Sequence, residues 1–255
     1  MFTLIRPQLS NRAGARRWFY QPGRSELFKK GVIKLKNMPL RQTEFVPDNF
    51  YHIYNRGNEK KIIFHDRQDY FYFLKKIKQY KKLSQVKIIC YILMPNHFHF
   101  ILSEPEEDLN AGRLTTESDA FKSNRLREPL KAPGASISRF MYLLQMSYAQ
   151  YFNQKYNSSG HVFQGRFQSI LINRDDYLEF LSCYIHLNAF TAGLVKLSSL
   201  WQFSSLPDYL FLRNGSIPDK EFLPVGEEYQ HLLDDYLELK KERENAIRDL
   251  IIEVV

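Results

Sequence analysis

Two histidines two residues apart, His97 and His99, stand in the run Tyr91-Ile-Leu-Met-Pro-Asn-His-Phe-His-Phe-Ile-Leu102. In a strand, alternate side chains share a face, so both imidazoles project together while Phe98 packs the other way. A pair of imidazoles held rigidly on one face is half of a metal site. The rest must come from elsewhere in the chain. Tyr184 and Asn188 are four apart in a helical pattern and therefore share one helix face. If that helix crosses the His97/His99 strand, a phenol and an amide oxygen stand beside two imidazoles. Such a set can hold a divalent ion with open positions for a phosphate oxygen. The phenol, with an ordinary pKa of about 10, becomes a nucleophile once a cation or base activates it.

Each of these residues also has an ordinary reading. A His-x-His pair can be two packed histidines, Tyr184 a core tyrosine beside Tyr177 and Leu181, and Asn188 a helix C-cap. Arg166, next to Gly165, is either a surface arginine or a phosphate clamp. A cupin barrel also uses His-x-His, with Glu104 in place for a third ligand. Against it, no glycine precedes His97 at the required offset, and strong helical patterns cover 136–157 and 177–187.

The elements that must position these groups follow from periodicity. Asn49–Tyr54 alternates and is aromatic-rich, hence a strand, with a turn at 55–58. Apolar residues from Asp66 to Leu83 recur at helical spacing. Val86–Leu93 is a buried strand, Pro95-Asn96 a break, and His97–Leu102 its hairpin partner. The polar stretch 103–135 carries no pattern. Ser136 is placed to N-cap a helix reaching Asn157. Phe163–Ile172 reads as a strand carrying Arg166, and Asp175-Asp176 opens a helix over 177–187. A charged helix over 227–252 closes the chain. The order β-α-β-β-α-β-α predicts an α+β fold, an antiparallel sheet flanked by helices, with a helical C-terminal extension.

Bulk properties narrow the classes. The 255 residues can bury one substantial core, and 44% hydrophobic content excludes a disordered chain. No apolar run approaches the roughly 20 residues that span a bilayer, so no membrane partner is expected. Cys90 and Cys183 offer no disulfide framework, and a reducing cytoplasm is the expected location. The net charge of +8 is uneven. Residues 1–37 hold nine lysines and arginines against one acid; 38–196 keep a positive excess, and 197–255 a negative one. A basic middle suits either a polyanion-binding face or an ordinary solvated surface. Met38-Pro39 resembles a start, which would put the basic arm 1–37 upstream of the true one; the alternative is a disordered arm that grips DNA. Three segments result: 1–37, a catalytic domain at 38–213, and an acidic helical extension at 214–255.

The segments Tyr51-His-Ile-Tyr-Asn-Arg-Gly57, Tyr91-Ile-Leu-Met-Pro-Asn-His-Phe-His99, Gly160-His-Val-Phe-Gln-Gly-Arg-Phe167 and Tyr184-Ile-His-Leu-Asn188 with Ala192-Gly-Leu-Val195 resemble a known family. It is the single-tyrosine transposases of the insertion-sequence-200-like group, in particular the REP-associated branch. The likeness runs from about residue 42 to 213. It implies a ferredoxin-like core with His97 and His99 as the His-hydrophobe-His (HUH) metal ligands and Asn188 as a third. It implies Mg²⁺ or Mn²⁺ as the ion and Tyr184 as the nucleophile. That tyrosine would form a 5′-phosphotyrosine and free a 3′-OH on single-stranded or hairpin DNA. Arg56, Arg166 and Gln168 become DNA contacts, and the assembly a monomer or homodimer. Two departures stand out: Ala189 follows Asn188 where the family has proline, and Gln168 stands where a lysine is common. The alternatives are a domesticated module that binds DNA hairpins and a replication-initiator nickase.

Overall fold

The computed structural model describes residues 45–105, 135–172 and 175–252, so the arm at 1–37 and most of the polar connection after residue 105 lie outside the described residues. Strand β1 (Phe50–Arg56) is followed by α1 (Arg67–Ser84), the hairpin β2 (Lys87–Met94) and β3 (His97–Ser103), and α2 (Ala135–Lys155). Then come β4 (Gln168–Ile172), α3 (Asp175–Thr191), a single turn α4 (Leu206–Tyr209) and α5 (Glu227–Ile252). The strands form one sheet in the order β2-β3-β1-β4, every neighbouring pair antiparallel. With β1-α1-β2-β3-α2-β4 as its connectivity, this is the split β-α-β, ferredoxin-like arrangement. The α+β expectation, an antiparallel sheet flanked by helices, therefore holds.

Alternation along the strands divides the interior into two cores. Phe98, Phe100 and Leu102 of β3, with Tyr51 and Ile53 of β1, pack against α1 and α2 through Phe73, Ile77, Phe140 and Leu144. The opposite face sends Ile92 and Ile101 towards α3 and α5, where Leu181, Ile185, Tyr229 and Leu233 complete a second core. Helix α3 is thus held between the sheet and α5. The histidine pair lies on this second face.

Two local expectations are corrected. Ser136 does not precede α2 but sits in its first turn. The capping acceptor is Glu104, whose carboxylate oxygens take the backbone N–H groups of Ser136 at 2.9 Å and Ile137 at 3.0 Å. A carboxylate at a helix N-terminus satisfies orphan donors and meets the helix dipole, a contribution of about 1–2 kcal/mol. It also removes Glu104 from any role beside the histidines. The strand expected over Phe163–Ile172 begins only at Gln168, because Gly165 adopts φ +65° and breaks the extended run. The helices expected at 66–83, 177–187 and 227–252 are present. Cys90 and Cys183 are buried free thiols. Among the described residues no helix is long and apolar enough to cross a membrane.

Candidate metal and nucleophile site

Strand register assembles the site. On β1, Tyr54 pairs with His99 and Arg56 with His97; on β4, Gln168 pairs with Tyr54. Cross-strand partners share a face, so His52, Tyr54, Arg56, His97, His99 and Gln168 all point to the side that carries α3. An open cleft of about 730 Å³ lies over all of these but the buried His52, lined also by Asn55, Lys60, Asn96 and Gln164.

The loop after β1 closes one wall. Gly57 donates its N–H to the Asn96 carbonyl at 2.8 Å. A Cβ on Gly57 would stand 2.1 Å from the Lys61 carbonyl oxygen, so only glycine fits this close approach. Asn96 in turn donates Nδ2 to the Lys60 carbonyl at 3.2 Å, and its Oδ1 lies 2.6 Å from His97 Nδ1. Arg56 donates Nε to the Gln164 side-chain oxygen. No carboxylate pairs with Arg56 among the described residues, which leaves its charge for a ligand.

The two histidines are electrostatically suited to ligation. Burial, then the nearby Arg56 charge, lowers the His97 pKa below its ordinary value. Burial, then His52 and His97, pushes His99 well below it. Both imidazoles are therefore neutral at physiological pH, as a metal ligand requires. Their ring centroids are 5.1 Å apart.

Helix α3 brings the remaining groups. Tyr184 meets His99 edge to face, with ring centroids 6.0 Å apart. Burial raises the Tyr184 pKa, a hydrogen bond with the Asn188 side chain lowers it, and Tyr54 adds a smaller upward push. Asn188 lies inside α3, which continues to Thr191, so it is not the helix C-cap. The structure thus sets Tyr184 against His99 where α3 crosses β3, with Asn188 hydrogen-bonded to Tyr184 one turn on; neither helix residue lines the open cleft. Arg56 and Gln168 line the cleft with the histidines. Arg166 is exposed and outside the lining, although its carbonyl accepts from Gln168 Nε2 at 3.2 Å.

A divalent ion at this site, Mg²⁺ or Mn²⁺ as the motif resemblance implies, would take its protein nitrogens from His97 and His99. Two neutral imidazoles supply nitrogens, and an octahedral ion keeps places for water and phosphate oxygens. No group of three or more His, Cys, Asp or Glu side chains among the described residues is placed to hold an ion. The further ligand that the motif resemblance implies is the Asn188 amide.

Sequence reasoning missed three contributors. His52 reaches His99 with Nε2 2.9 Å from Nδ1. Tyr54 and Asn96 flank the pair. The signal for the first two was present, since 52, 54 and 56 alternate on β1 as 97 and 99 do on β3.

No protein-family model matches the sequence, and neither does any curated protein. Two solved structures resemble this one. The chain is 18% identical, with a TM-score of 0.47, to a REP-associated tyrosine transposase bound to a REP hairpin, over 72% of this chain and 94% of that one. It is 9% identical, with a TM-score of 0.34, to a putative transposase from Deinococcus radiodurans R1, over 61% of this chain and 95% of that one.

Proposed function

We propose that this chain is a DNA strand transferase that nicks and rejoins single-stranded or hairpin DNA through Tyr184 in transposition. The observation that carries the reading is the crossing of β3 and α3, which sets Tyr184 against His99 of a neutral imidazole pair, beside an arginine with no carboxylate partner among the described residues. The motif resemblance supports it, because three of its four segments line this one cleft and the fourth brings Tyr184 against His99.

In this reading His97 and His99 hold the ion, with the Asn188 amide as a third protein ligand. A divalent ion held by these residues would supply Lewis-acid polarisation of a phosphate oxygen and favour the phenolate. Arg56 and Lys60 draw the DNA backbone into the cleft. Tyr184 gives its proton to solvent water, and its oxygen attacks the phosphorus. A tyrosine–phosphate bond forms at the 5′ side, and the 3′ oxygen leaves as a hydroxyl once protonated. Attack by another 3′-OH reverses the exchange, so bond energy is kept and no external energy source is needed. Asn188 orients the phenol.

Labelled single-stranded or hairpin DNA from the element's own ends, incubated with the chain and Mn²⁺ and run on a denaturing gel, tests this. A covalent protein–DNA adduct is expected, and Tyr184→Phe should abolish it while leaving binding intact. Tight binding by wild type with no adduct on any such DNA would sink the enzyme reading and leave a hairpin-binding module.

A further inference from the structure

We propose that the outer face of α1 is a second DNA surface, a basic rail that takes the paired stem of a hairpin while the cleft takes its unpaired end. The inference rests on the reading of the cleft as a site for single-stranded or hairpin DNA, and it assigns the duplex part to residues outside that cleft.

Charge is sorted across the sheet. Helices α1 and α2 together carry eight lysines and arginines and a single acid, Asp69, which is fully buried. Helices α3 and α5, on the opposite face, carry eleven acids against four lysines and arginines. A polyanion is drawn to the first layer and repelled by the second.

Within α1 the lysines are of two kinds. Lys81 is engaged inside the protein, where its Nζ donates to Asp219 Oδ1 and to the Ile217 carbonyl, each at 2.7 Å. Lys76 lies over the Tyr72 and Tyr80 rings, 5.5 Å from each centroid. Lys75, Lys78 and Lys82 are exposed and have no hydrogen bond or ion pair among the described residues. Steps of three and four residues put these three on one stripe with Arg67 and Phe71, both also exposed. Arg67 meets only neutral groups, the Gln202 side-chain oxygen at 3.0 Å and the Phe71 ring at 5.7 Å. No acid interrupts the stripe, whose exposed neighbours on α1 are Gln68 and Gln79.

The stripe begins beside the cleft. Ile63 and Phe64 donate their N–H groups to the Pro95 carbonyl at 2.8 and 3.0 Å. That sets the start of α1 against the β2–β3 turn, whose Asn96 lines the cleft. From Arg67 to Lys82 the rail runs about 22 Å along the helix, the length of about six base pairs. It is held rigidly. Asp66 caps the first turn, taking the N–H groups of Gln68 at 2.9 Å and Asp69 at 3.1 Å, and Tyr72 stacks on Tyr151 of α2 with centroids 3.9 Å apart.

Duplex is the form that fits. A single strand is gripped through aromatic platforms for its bases, and the lysine part of the stripe offers none. A duplex turns its bases inward and presents phosphates, which lysines meet as point charges. A lipid surface would need a free apolar face, whereas α1 buries its own, including Phe73 and Ile77, in the core.

Fluorescence anisotropy of the full chain with two labelled DNAs tests the assignment. One is a hairpin with an unpaired tail and a stem longer than the rail; the other is the tail alone. The combined variant Lys75→Gln, Lys78→Gln, Lys82→Gln should make the hairpin's slope of log K against log salt shallower by about 2.7, at about 0.9 for each phosphate released. It should leave the tail's slope within experimental error. Arginine at the three positions should keep the wild-type slope. The proposal is overturned if the hairpin slope moves by less than about 0.9, a single contact, or if the two slopes move alike. It is equally overturned if the glutamine variant loses binding to phosphatidylserine vesicles while its hairpin slope is unchanged. The adduct assay keeps the two levels apart. A responsive hairpin slope with no adduct on any DNA sinks the Tyr184 chemistry and leaves the rail; an unresponsive slope with an intact adduct sinks the rail alone.

Discussion

Tyr184 is pulled in two directions. Its burial disfavours the phenolate and raises the pKa, while the Asn188 hydrogen bond favours the phenolate and lowers it. Removing the second influence leaves the first unopposed. Asn188→Leu should therefore raise the Tyr184 pKa further in the metal-free protein, read by NMR titration of carbon-labelled tyrosine. The pH profile of adduct formation should move to higher pH in parallel. A Tyr184 titration unmoved by Asn188→Leu would mean that the amide does not touch the phenol's charge. The i,i+4 spacing of these two residues was legible in the sequence because helical periodicity is local, as is the two-residue period that pairs His97 with His99. The His52 contact was not, since it depends on how β1 registers against β3, 47 positions away. The role of Asn96 was hidden for the same reason, because its amide is oriented by a carbonyl in the loop after β1.

Helix α3 is tied down on both flanks, which is what lets one of its side chains be aimed. His186 lies between Tyr184 and Asn188 in sequence and points away from them. Its Nδ1 meets the Tyr229 hydroxyl of α5 at 2.6 Å, and its Nε2 the Ser205 hydroxyl at 2.7 Å. Ser205 in turn accepts from the β2 backbone N–H of Tyr91 at 2.8 Å. One imidazole thus joins α3 to α5 and, through Ser205, to the sheet edge. Burial lowers the His186 pKa to about 3, against 6.5 in an unfolded chain. The folded state holds His186 neutral, so below pH 6.5 the unfolded chain binds more protons and stability falls with pH. The loss continues down to about pH 3, at up to about 1.4 kcal/mol per pH unit for this histidine. Melting temperatures measured across that window should fall as pH drops, and the fall should be shallower in His186→Gln. Equal slopes would show that His186 does not carry the linkage. Helix α3 could be placed from its opening acids and apolar spacing, but its anchor could not: Tyr229 is 43 positions away and Ser205 is 19. Glu104 teaches the same point, because an acid beside a strand of histidines reads as a ligand until tertiary structure sends it to the start of α2.

For the molecule as a whole, a net charge of +8 says little about DNA binding, since it is the local arrangement that a polyanion meets. Arg56 and Lys60 line the cleft without carboxylate partners among the described residues. The acids of α5, including Glu228 and Asp234, belong to a helix that packs on α3 and are absent from the cleft lining. If DNA enters over the histidines, the two cleft cations replace condensed counterions and the α5 acids do not. For single-stranded DNA each phosphate neutralised contributes about −0.7 to the slope of log K against log salt. The double variant Arg56→Ala, Lys60→Ala should therefore make the slope shallower by about 1.4. Glu228→Gln with Asp234→Asn should leave it within experimental error. Fluorescence anisotropy with labelled single-stranded DNA at several salt concentrations measures both. A slope that ignores the cleft variant, or that steepens when the α5 charges are removed, would put the DNA on another face and separate binding from the Tyr184 site.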